Sequence, residues 1–455
     1  MRKVVIQLVG ALLALSIVTL SQAAVARDLP RTKPEREGMS SQRLVRLTEH
    51  MGQAVDGGVM VGGQAMIARG GRVVYEQVWG QADREAAKPM TSDTIFRIYS
   101  MSKPITSVAV MMLYEEGRFF LNDPVARYLP AVANLEVAVS TADGVTRAES
   151  DGTTSRTIGS GDAAWEGERR KAKRQPTVRD LLRHTAGMTY GYFGNTEVDR
   201  MYRSVDLMPS DTTLSDFITR LGELPLQYDP GTRWHYSVAV DVQGALVEAI
   251  SGMRFGEFLE RRLFGPLGMV DTSFIIADDK RHRLAQMYSP ADAREDTSVF
   301  LAPSKSKQLK VAPPIVSKGY LPGATFEGGG GGLLSTAEDY LRFSQMLLNG
   351  GELDGVRILS PKTVELMTTD HMKGVGREFG RGGYGFGLGF AVMESPGESG
   401  EVGSAGEFNW GGAAGTRFWI DPQEQLIGIF MVQSIPHRTR LGSEFKVLTY
   451  QAITD

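Results

Sequence analysis

The chain contains 455 residues, of which 42% are hydrophobic and 23% are charged, and its formal net charge is −3. This composition is ordinary for a globular protein, the length suits two or three domains, and the charge gives no support to nucleic-acid binding. The chain has no cysteine, so disulfides and thiol catalysis are excluded.

The first residues have the pattern of a secretory signal peptide. Arg2 and Lys3 precede an apolar run over residues 4–20, and small residues at 24–26 offer a cleavage site. We expect residues 1–26 to be removed and the mature protein to be periplasmic or secreted, without a membrane anchor. A retained anchor is the alternative, but the run is short for a transmembrane helix, and there is no cysteine to carry a lipid.

The chain then begins with a helix and a hairpin. Apolar residues at helical spacing predict a helix over 41–55. Two strand-like runs, 64–69 and 72–79, are joined by two glycines, which is a strong hairpin signal. The apolar segment that follows Ser100 predicts a helix that ends at Gly117.

The middle of the chain is mostly helical. Its start, about 139–175, is polar and rich in Gly, Ser, Thr and charge. We interpret this stretch as an insertion, either a lid over the site or an idle surface loop, and a hairpin is one form it could take. Helical patterns follow at residues 177–184, 214–221, 240–250 and 255–263.

The C-terminal part returns to strands. Five glycines at 328–332 are followed by Leu333, so the Lys-Ser/Thr ending of a phosphate-binding loop is absent. We expect a tight backbone crossing there, with Ser335 or Thr336 capping the next helix. Strand patterns and a closing helix follow at 384–393, 416–420, 426–432 and 445–453.

These elements predict an α+β fold in which both chain ends build one sheet. We expect a discontinuous sheet domain from residues 27–98 and 325–455. The remaining residues, 99–324, are expected to form an inserted, mostly helical domain. The cleft between the two is the expected ligand site.

Ser100 and Lys103 are the candidate catalytic pair. Residues three apart share one face of a helix, so the Lys103 amine can reach the Ser100 hydroxyl and take its proton. The free N–H groups at the start of that helix suit an oxyanion. Helix capping is the alternative role for Ser100. The same spacing recurs at Ser304/Lys307, in a basic polar run that we expect to be a solvated loop, and at Ser443/Lys446, where we expect Ser443 to cap the last helix.

Other hydrolytic chemistries have no matching pattern. No serine lies in a Gly-x-Ser-x-Gly sequence, as a nucleophile elbow requires. None of the six histidines lies in a metal-binding motif. We therefore predict neither a metal nor an organic cofactor.

Three motifs in order resemble the serine β-lactamase and penicillin-binding superfamily, and more narrowly the family VIII carboxylesterases. They are Ser100-Met101-Ser102-Lys103, Tyr236-Ser237 and Trp410-Gly411-Gly412. Supporting stretches lie at 123–130, 184–188 and 331–336. The resemblance implies a β-lactamase-like fold, with an antiparallel sheet flanked by helices and an inserted helical domain.

The resemblance also implies roles. Ser100 attacks the acyl carbonyl, and Lys103 and Tyr236 share its proton, with the choice of base left open. The backbone N–H groups of Ser100 and Ala413 form the oxyanion hole, and water then hydrolyses the acyl-enzyme. A core tyrosine is the alternative for Tyr236, and we expect His184 to be a satisfied core histidine.

Two positions depart from the β-lactamase pattern. Val238 replaces the asparagine of Tyr-x-Asn, and Trp410 replaces the lysine of Lys-Thr-Gly. A lysine there pairs with the substrate carboxylate through a charge-assisted bond worth about 1.5–3 kcal/mol. The sequence therefore favours neutral esters over β-lactams, with Gly411 and Gly412 beside Trp410 in the pocket. Simple packing is the alternative for Trp410, and Arg417 is a candidate partial replacement for the missing cation.

We predict an exported serine esterase that acts on small short- or medium-chain carboxylic esters through an acyl-enzyme. The alternatives are a β-lactamase or D-amino-acid-type peptidase, and an acyltransferase of the same fold. The alternative that is not an enzyme is a penicillin-binding-like sensor module. The natural substrate and the oligomeric state stay open.

Overall fold

The computed structural model describes residues 28–139, 168–294, 306, 308–375, 382–437 and 439–455. The predicted signal peptide, most of the 139–175 insertion and the Ser304/Lys307 pair lie outside those ranges. Among the described residues, no helix is both long and apolar enough to cross a membrane.

One antiparallel sheet dominates the structure. The strands, numbered along the chain, are β1 Gly62–Arg69, β2 Arg72–Asp83, β3 Lys88–Pro89, β4 Phe96–Arg97, β5 Glu136–Ala138, β6 Arg169–Lys171, β7 Tyr288–Pro290, β8 Leu309–Val311, β9 Leu334–Ser335, β10 Glu352–Leu353, β11 Val356–Arg357, β12 Tyr384–Phe386, β13 Ala391–Met393, β14 Phe408–Gly411, β15 Arg417–Asp421 and β16 Leu426–Val432. In the described part of the chain, the main sheet has eight strands in the order β12-β13-β14-β15-β16-β1-β2-β3. Because β1 pairs with β16, both chain ends build this sheet.

Helices cover both faces of the sheet. They are α1 Ser41–Asp56, α2 Ser102–Glu115, α3 Val178–Leu182, α4 Glu197–Ser204, α5 Leu214–Leu221, α6 Ala239–Ser251, α7 Phe255–Leu259, α8 Gly265–Leu267, α9 Ala337–Leu348, α10 Pro361–Met367, α11 Pro396–Ser399 and α12 Leu441–Tyr450. α1 and α12 pack on one face of the sheet, and α9 packs on the other.

The alternation of side chains along β16 explains why the sheet needs two layers of helices. Ile427, Ile429 and Met431 belong to the core shared with α9, whereas Phe430 and Val432 belong to the core under α1 and α12. Successive strand residues point to opposite faces, and both faces of β16 are buried. A continuous apolar run results, as expected of a strand covered on both sides.

α2 is the central helix of the helical region. Its residues from Ser102 to Leu113 are all buried, and it packs along α6. The Ser107 hydroxyl donates to Gln243 Oε1 over 3.0 Å, which ties the two helices together in the core. Since α2 begins two residues after Ser100, this packing helps to fix where Ser100 lies.

Several predicted elements are confirmed. The helix over 41–55 is α1, and the glycine-linked hairpin is β1–β2. Thr336 caps α9, because its side chain accepts from the Asp339 N–H. β5, which ends just before the 139–175 stretch, pairs with β6 inside it, and the prediction of an insertion between them concerns residues that are mostly outside the described ranges. The predicted α+β class, with both chain ends in one sheet, therefore stands.

Two predictions of single elements are wrong. The segment 384–393 forms the two strands β12 and β13 rather than one, because the chain turns at Gly389, whose φ of +99° suits glycine. The closing helix begins at Leu441 rather than at residue 445, so Ser443 lies inside the helix and does not cap it.

Candidate active site

Ser100 lies in a tight turn before α2. The turn is a 3₁₀ segment over Tyr99–Met101, and Tyr99 has a left-handed φ of +43°. α2 starts at Ser102 with Met101 as its N-cap residue, and no side chain caps it. Ser100 is therefore not a helix cap. Ser100 itself is half-buried. The left-handed backbone of its neighbour Tyr99 costs of order 1–3 kcal/mol, and strained backbone of this kind clusters at functional sites.

Lys103 is held beneath Ser100. Its side chain is 2% exposed, and its Nζ lies 3.3 Å from Ser100 Oγ. The same Nζ donates to the Gly330 carbonyl over 2.6 Å and lies 4.5 Å from the centroid of the Tyr236 ring. Ser100 and Lys103, the first two predicted site residues, are thus in contact.

Tyr236 reaches the same serine from the segment that precedes α6. Its hydroxyl donates to Ser100 Oγ over 2.7 Å. Its ring packs against Trp234, at 6.1 Å between centroids, and against Trp410, at 5.6 Å. Ser100, Lys103, Tyr236 and Trp410 therefore meet at one place, although they come from separate parts of the chain.

The turn that follows β14 lies against the Ser100 turn. Thr416 Oγ1 donates to the Ile98 carbonyl over 3.2 Å. A Cβ at Gly412 would lie only 2.4 Å from that same carbonyl oxygen, so this close approach requires glycine. The exposed Ala413 follows Gly412. This packing places the turn between β14 and β15 next to the turn that carries Ser100.

Arg417 lies apart from this group. Its guanidinium donates to Ser443 Oγ over 3.0 Å, and it pairs with Glu401 at 3.4 Å. These contacts place it under α12, whereas Lys103 and Tyr236 surround Ser100. The expectation that Arg417 replaces the missing pocket cation therefore needs correction, because its charge is already paired with a carboxylate.

The Ser443/Lys446 pair has no catalytic geometry. Ser443 accepts from Arg417, whereas Lys446 Nζ donates to the buried Glu407 over 2.7 Å. Both partners of Lys446 in this cluster, Glu401 and Glu407, are carboxylates. With the same Ser-x-x-Lys spacing, Lys446 thus forms a structural ion pair with Glu407, whereas Lys103 contacts Ser100.

His184 is a core histidine, but it is not satisfied. Its ring is 1% exposed and packs 4.9 Å from the ring of Tyr236. Its Nδ1 has no hydrogen-bond partner among the described residues. Burial, followed by the nearby charge of Lys103, holds its pKa well below the usual value, so this ring is neutral.

Three residues near this group were not predicted from the sequence. The Tyr190 ring centroid lies 5.1 Å from Lys103 Nζ, and the Tyr190 hydroxyl donates to Asp241 Oδ2 over 3.2 Å. The ring of Phe193 packs against that of Tyr236, with 5.4 Å between the centroids. The available signal for Asp241 was an acidic residue at the start of the apolar 240–250 helix, which holds one other acidic residue, Glu248. Among the described residues, no group of three or more His, Cys, Asp or Glu side chains could hold a metal ion.

A β-lactamase family model matches residues 47–449. The chain belongs to the β-lactamase family. This membership confirms the resemblance drawn from the three motifs and the fold class that it implied.

Similar proteins within the family include esterases. Esterase EstB of Burkholderia gladioli is 31% identical over 382 residues, which cover 83% of this chain and 86% of EstB. An uncharacterized protein of Mycobacterium tuberculosis is 34% identical over 394 residues, covering 84% of this chain and 88% of its own. Among solved structures, EstCE1, described as a hydrolase with promiscuous acyltransferase activity, aligns with a TM-score of 0.71 at 28% identity. That alignment covers 90% of this chain and 99% of EstCE1. This β-lactamase-family chain thus has esterase relatives over most of its length.

Proposed function

We propose that this protein is a serine esterase that cleaves short- or medium-chain carboxylic esters through an acyl-enzyme on Ser100. The observation that supports this most directly is the position of Ser100 Oγ, within reach of both Tyr236 and Lys103. A half-buried serine beside a buried lysine and a tyrosine has the geometry of an activated nucleophile.

In the proposed reaction, Ser100 Oγ bonds to the acyl carbon while its proton passes to the Tyr236–Lys103 pair. The carbonyl oxygen becomes an oxyanion that accepts hydrogen bonds from the backbone N–H groups of Ser100 and Ala413. The intermediate collapses, the bond to the alkoxy group breaks, and the pair returns the proton to the leaving alcohol. The oxygen of a water molecule then bonds to the acyl carbon while the pair takes one water proton. The bond between that carbon and Ser100 Oγ breaks, the carboxylic acid leaves, and the same proton restores the Ser100 hydroxyl.

The pocket favours neutral substrates. Trp410 stands where a β-lactamase of the usual pattern has a lysine, and its ring packs against Tyr236 and Phe386. With Arg417 paired to Glu401, neither residue offers a substrate carboxylate a free cation. A neutral ester needs none, so we favour esters over β-lactams and D-amino-acid peptides.

Acyl transfer is a second candidate. EstCE1 is described as a hydrolase with promiscuous acyltransferase activity, and an alcohol can replace water as the nucleophile that attacks an acyl-enzyme. Adding an alcohol to the reaction and measuring the new ester would detect this activity.

We also propose export with cleavage of residues 1–26, supported by the basic, apolar and small-residue order of that segment. Mass spectrometry of the mature N-terminus tests it. Active protein that retains residues 1–26 would contradict it.

Hydrolysis of p-nitrophenyl butyrate and of a chromogenic cephalosporin, by wild type and by Ser100→Ala, tests the proposed reaction. We expect wild type to prefer the ester and Ser100→Ala to be inactive. Ser443→Ala is a matched control, because it removes the hydroxyl of the other described Ser-x-x-Lys sequence, and it should retain activity. Preference for the cephalosporin would indicate a β-lactamase instead, and activity surviving in Ser100→Ala would contradict the mechanism.

A further inference from the structure

An aromatic loop, residues 189–196, lies beside the Ser100 site. The ring of Tyr190 packs against that of Tyr236, with 5.4 Å between the centroids. The Phe193 centroid lies 5.4 Å from that of Tyr236 and 5.9 Å from that of Tyr190. Phe193 is nonetheless exposed. A large apolar ring that packs on a candidate catalytic residue and still faces solvent offers apolar surface to a ligand in the site.

Both ends of the aromatic loop are tied to one buried carboxylate. Asp199, in the first turn of α4, accepts from the Thr189 hydroxyl over 2.7 Å at one end of the loop. At the other end, it accepts from the Thr196 N–H over 2.9 Å and from the Thr196 hydroxyl over 2.8 Å. Because Asp199 is fully buried, these bonds replace the water that its carboxylate has lost. The loop thus starts and ends at fixed points on α4.

Thr189 also connects the aromatic loop to the segment that carries Tyr236. Its Oγ1 accepts from the Gly191 N–H over 3.0 Å and lies 3.2 Å from His235 Nε2. Because the single hydroxyl hydrogen of Thr189 goes to Asp199, the His235 ring is the donor in that second contact. The base of the loop is therefore hydrogen-bonded to the residue next to Tyr236.

Between these ends, Arg203 of α4 holds the main chain of the loop. Its guanidinium donates to the Gly191 carbonyl, to the Gly194 carbonyl over 3.0 Å and to Asn195 Oδ1 over 3.0 Å. These three acceptors lie on both sides of Phe193 in the sequence. A planar guanidinium presents its N–H donors in a fixed fork, so one side chain fixes the part of the loop that carries Phe193.

Two glycines let the aromatic loop lie directly on α4. Gly191 has a left-handed φ of +77°, and a Cβ there would lie 2.8 Å from the Asp199 carbonyl oxygen. A Cβ at Gly194 would overlap Asp199 Oδ2. The main chain therefore approaches α4 closely enough for the Arg203 guanidinium to reach it on both sides of Phe193.

We propose that Arg203 is a positioning residue for acyl-chain selectivity. It holds Phe193 against Tyr236, where the Phe193 ring contacts the far end of a long apolar acyl chain bound at Ser100 but does not reach a short one. The inference rests on the proposed esterase function. It adds to that function the part of the substrate that the aromatic loop recognises, and a residue that sets this recognition without touching the substrate.

The test compares KM for p-nitrophenyl octanoate and for p-nitrophenyl acetate in wild type and Arg203→Gln. A glutamine cannot reach all three acceptors, so the loop should loosen and the Phe193 ring should leave its position. We expect the ratio of the octanoate KM to the acetate KM to rise by about two- to tenfold, as the loss of one aromatic contact predicts. An unchanged ratio, or a KM that rises equally for both esters, would overturn the proposal.

A double-variant cycle tests whether Arg203 acts through Phe193. Arg203→Gln should raise the octanoate KM of the wild type but leave that of Phe193→Ala unchanged, because the ring that Arg203 positions is already absent. A side chain that only stabilises the fold would not give this dependence. Effects that multiply in the double variant would mean that the two residues act independently, and they would overturn the proposal.

Arg118→Gln is the matched control. Arg118 also donates to a main-chain carbonyl, that of Ile250, over 2.8 Å, but it follows the C-terminal end of α2, whereas Ser100 precedes the N-terminal end. The 14 residues of α2 separate the two by about 20 Å. This variant should keep the wild-type ratio of KM values. A ratio that rises as much as in Arg203→Gln would overturn the proposal.

Failure of the variant and failure of the proposed function are distinguishable. If Arg203→Gln lacks a cooperative unfolding transition, Arg203→Lys replaces it, because an ammonium group keeps the charge but not the planar fork. A wild-type ratio in that variant would overturn the proposal. If wild type cleaves neither ester, or Ser100→Ala still cleaves them, the proposed function itself fails. A wild type that depends on Ser100, with an unchanged ratio in Arg203→Gln, overturns the Arg203 inference alone.

Discussion

The Tyr236 hydroxyl donates to Ser100 Oγ over 2.7 Å. The other basic group at this serine, Lys103 Nζ, is 3.3 Å away and also bonds to a backbone carbonyl. In the proposed reaction, this short contact is the path between the Ser100 proton and the Tyr236 oxygen. Lys103 Nζ lies 4.5 Å from the centroid of the Tyr236 ring, so Ser100, Lys103 and Tyr236 form one connected group.

Tyr236→Phe should remove the proton acceptor and leave the packing of the ring. We expect kcat to fall by about 10²- to 10⁴-fold, the usual contribution of a positioned acid–base group, with the melting temperature little changed. Steady-state kinetics and thermal unfolding measure both effects. Tyr128→Phe is the control, because the Tyr128 hydroxyl bonds to Asp123 away from Ser100. A Tyr236→Phe enzyme with full kcat would mean that the tyrosine only packs.

Trp410→Lys should restore the cation that β-lactamases of the usual pattern have at this position. We expect kcat/KM for the cephalosporin to rise by roughly tenfold or more, since a charge-assisted bond is worth about 1.5–3 kcal/mol. Ester hydrolysis should fall, because the ring that packs on Tyr236 and Phe386 is lost. Trp410→Leu separates the two effects. Equal cephalosporin rates in both variants would contradict the role of charge.

Phe193→Ala should weaken binding of longer acyl chains. Phe193 is 53% exposed, yet its ring packs on Tyr236 and Tyr190, so it is placed to cover an acyl group. We expect KM for p-nitrophenyl octanoate to rise by several-fold, as loss of an aromatic contact predicts, and KM for the acetate to stay unchanged. Phe120→Ala, at a residue 70% exposed, is the control. A change of equal size for both esters would argue against a pocket role.

The local patterns of the sequence predicted the elements well, and the long-range contacts poorly. The strand 426–432 was predictable because burial on both faces forces a continuous apolar run. The hydrogen bond between Asp241 and Gly330 joins residues 89 positions apart, so no spacing rule reveals it. The segment 384–393 was harder to predict, because a single strand and a short hairpin have similar apolar patterns. The structure shows the turn of this hairpin at Gly389.

The contacts within the candidate catalytic group were predictable only in part, because some of them also join residues that are far apart in the sequence. The Ser100–Lys103 spacing places both side chains on one side of a turn, and it recurs at Ser443–Lys446, where the lysine pairs with Glu407 instead. What separates the two pairs is Tyr236, which the fold brings to Ser100 from 136 positions away. The predicted domain boundaries stay predictions.

Acid should destabilise the protein in part through Asp180. Burial disfavours its carboxylate, but hydrogen bonds from Arg174 and from the Thr177 N–H outweigh that effect and lower its pKa from 3.8 to about 2. A carboxylate with a depressed pKa in the folded state stabilises the protein above the unfolded pKa, and this contribution is lost as the pH falls from about 4 to 2. The contribution is about 2 kcal/mol, since one pKa unit corresponds to 1.36 kcal/mol.

Urea unfolding of wild type and Asp180→Asn between pH 7 and pH 2 measures that contribution. The variant should be less stable at pH 7 and should lose less stability on acidification. Asp216→Asn is a matched control, because Asp216 completes the same type of capping box at α5 but is exposed. Parallel stability curves for wild type and Asp180→Asn would show that Asp180 does not supply the pH dependence.

Intact-mass analysis after incubation with p-nitrophenyl ethyl butylphosphonate tests directly whether Ser100 is the nucleophile, because this ester analogue leaves a stable adduct on an activated serine. We expect one phosphonyl group per chain, located on the peptide that contains Ser100. The adduct should be present in Ser443→Ala and absent in Ser100→Ala. An adduct of the same mass and rate in Ser100→Ala, or one that maps to another residue in wild type, would contradict this role of Ser100.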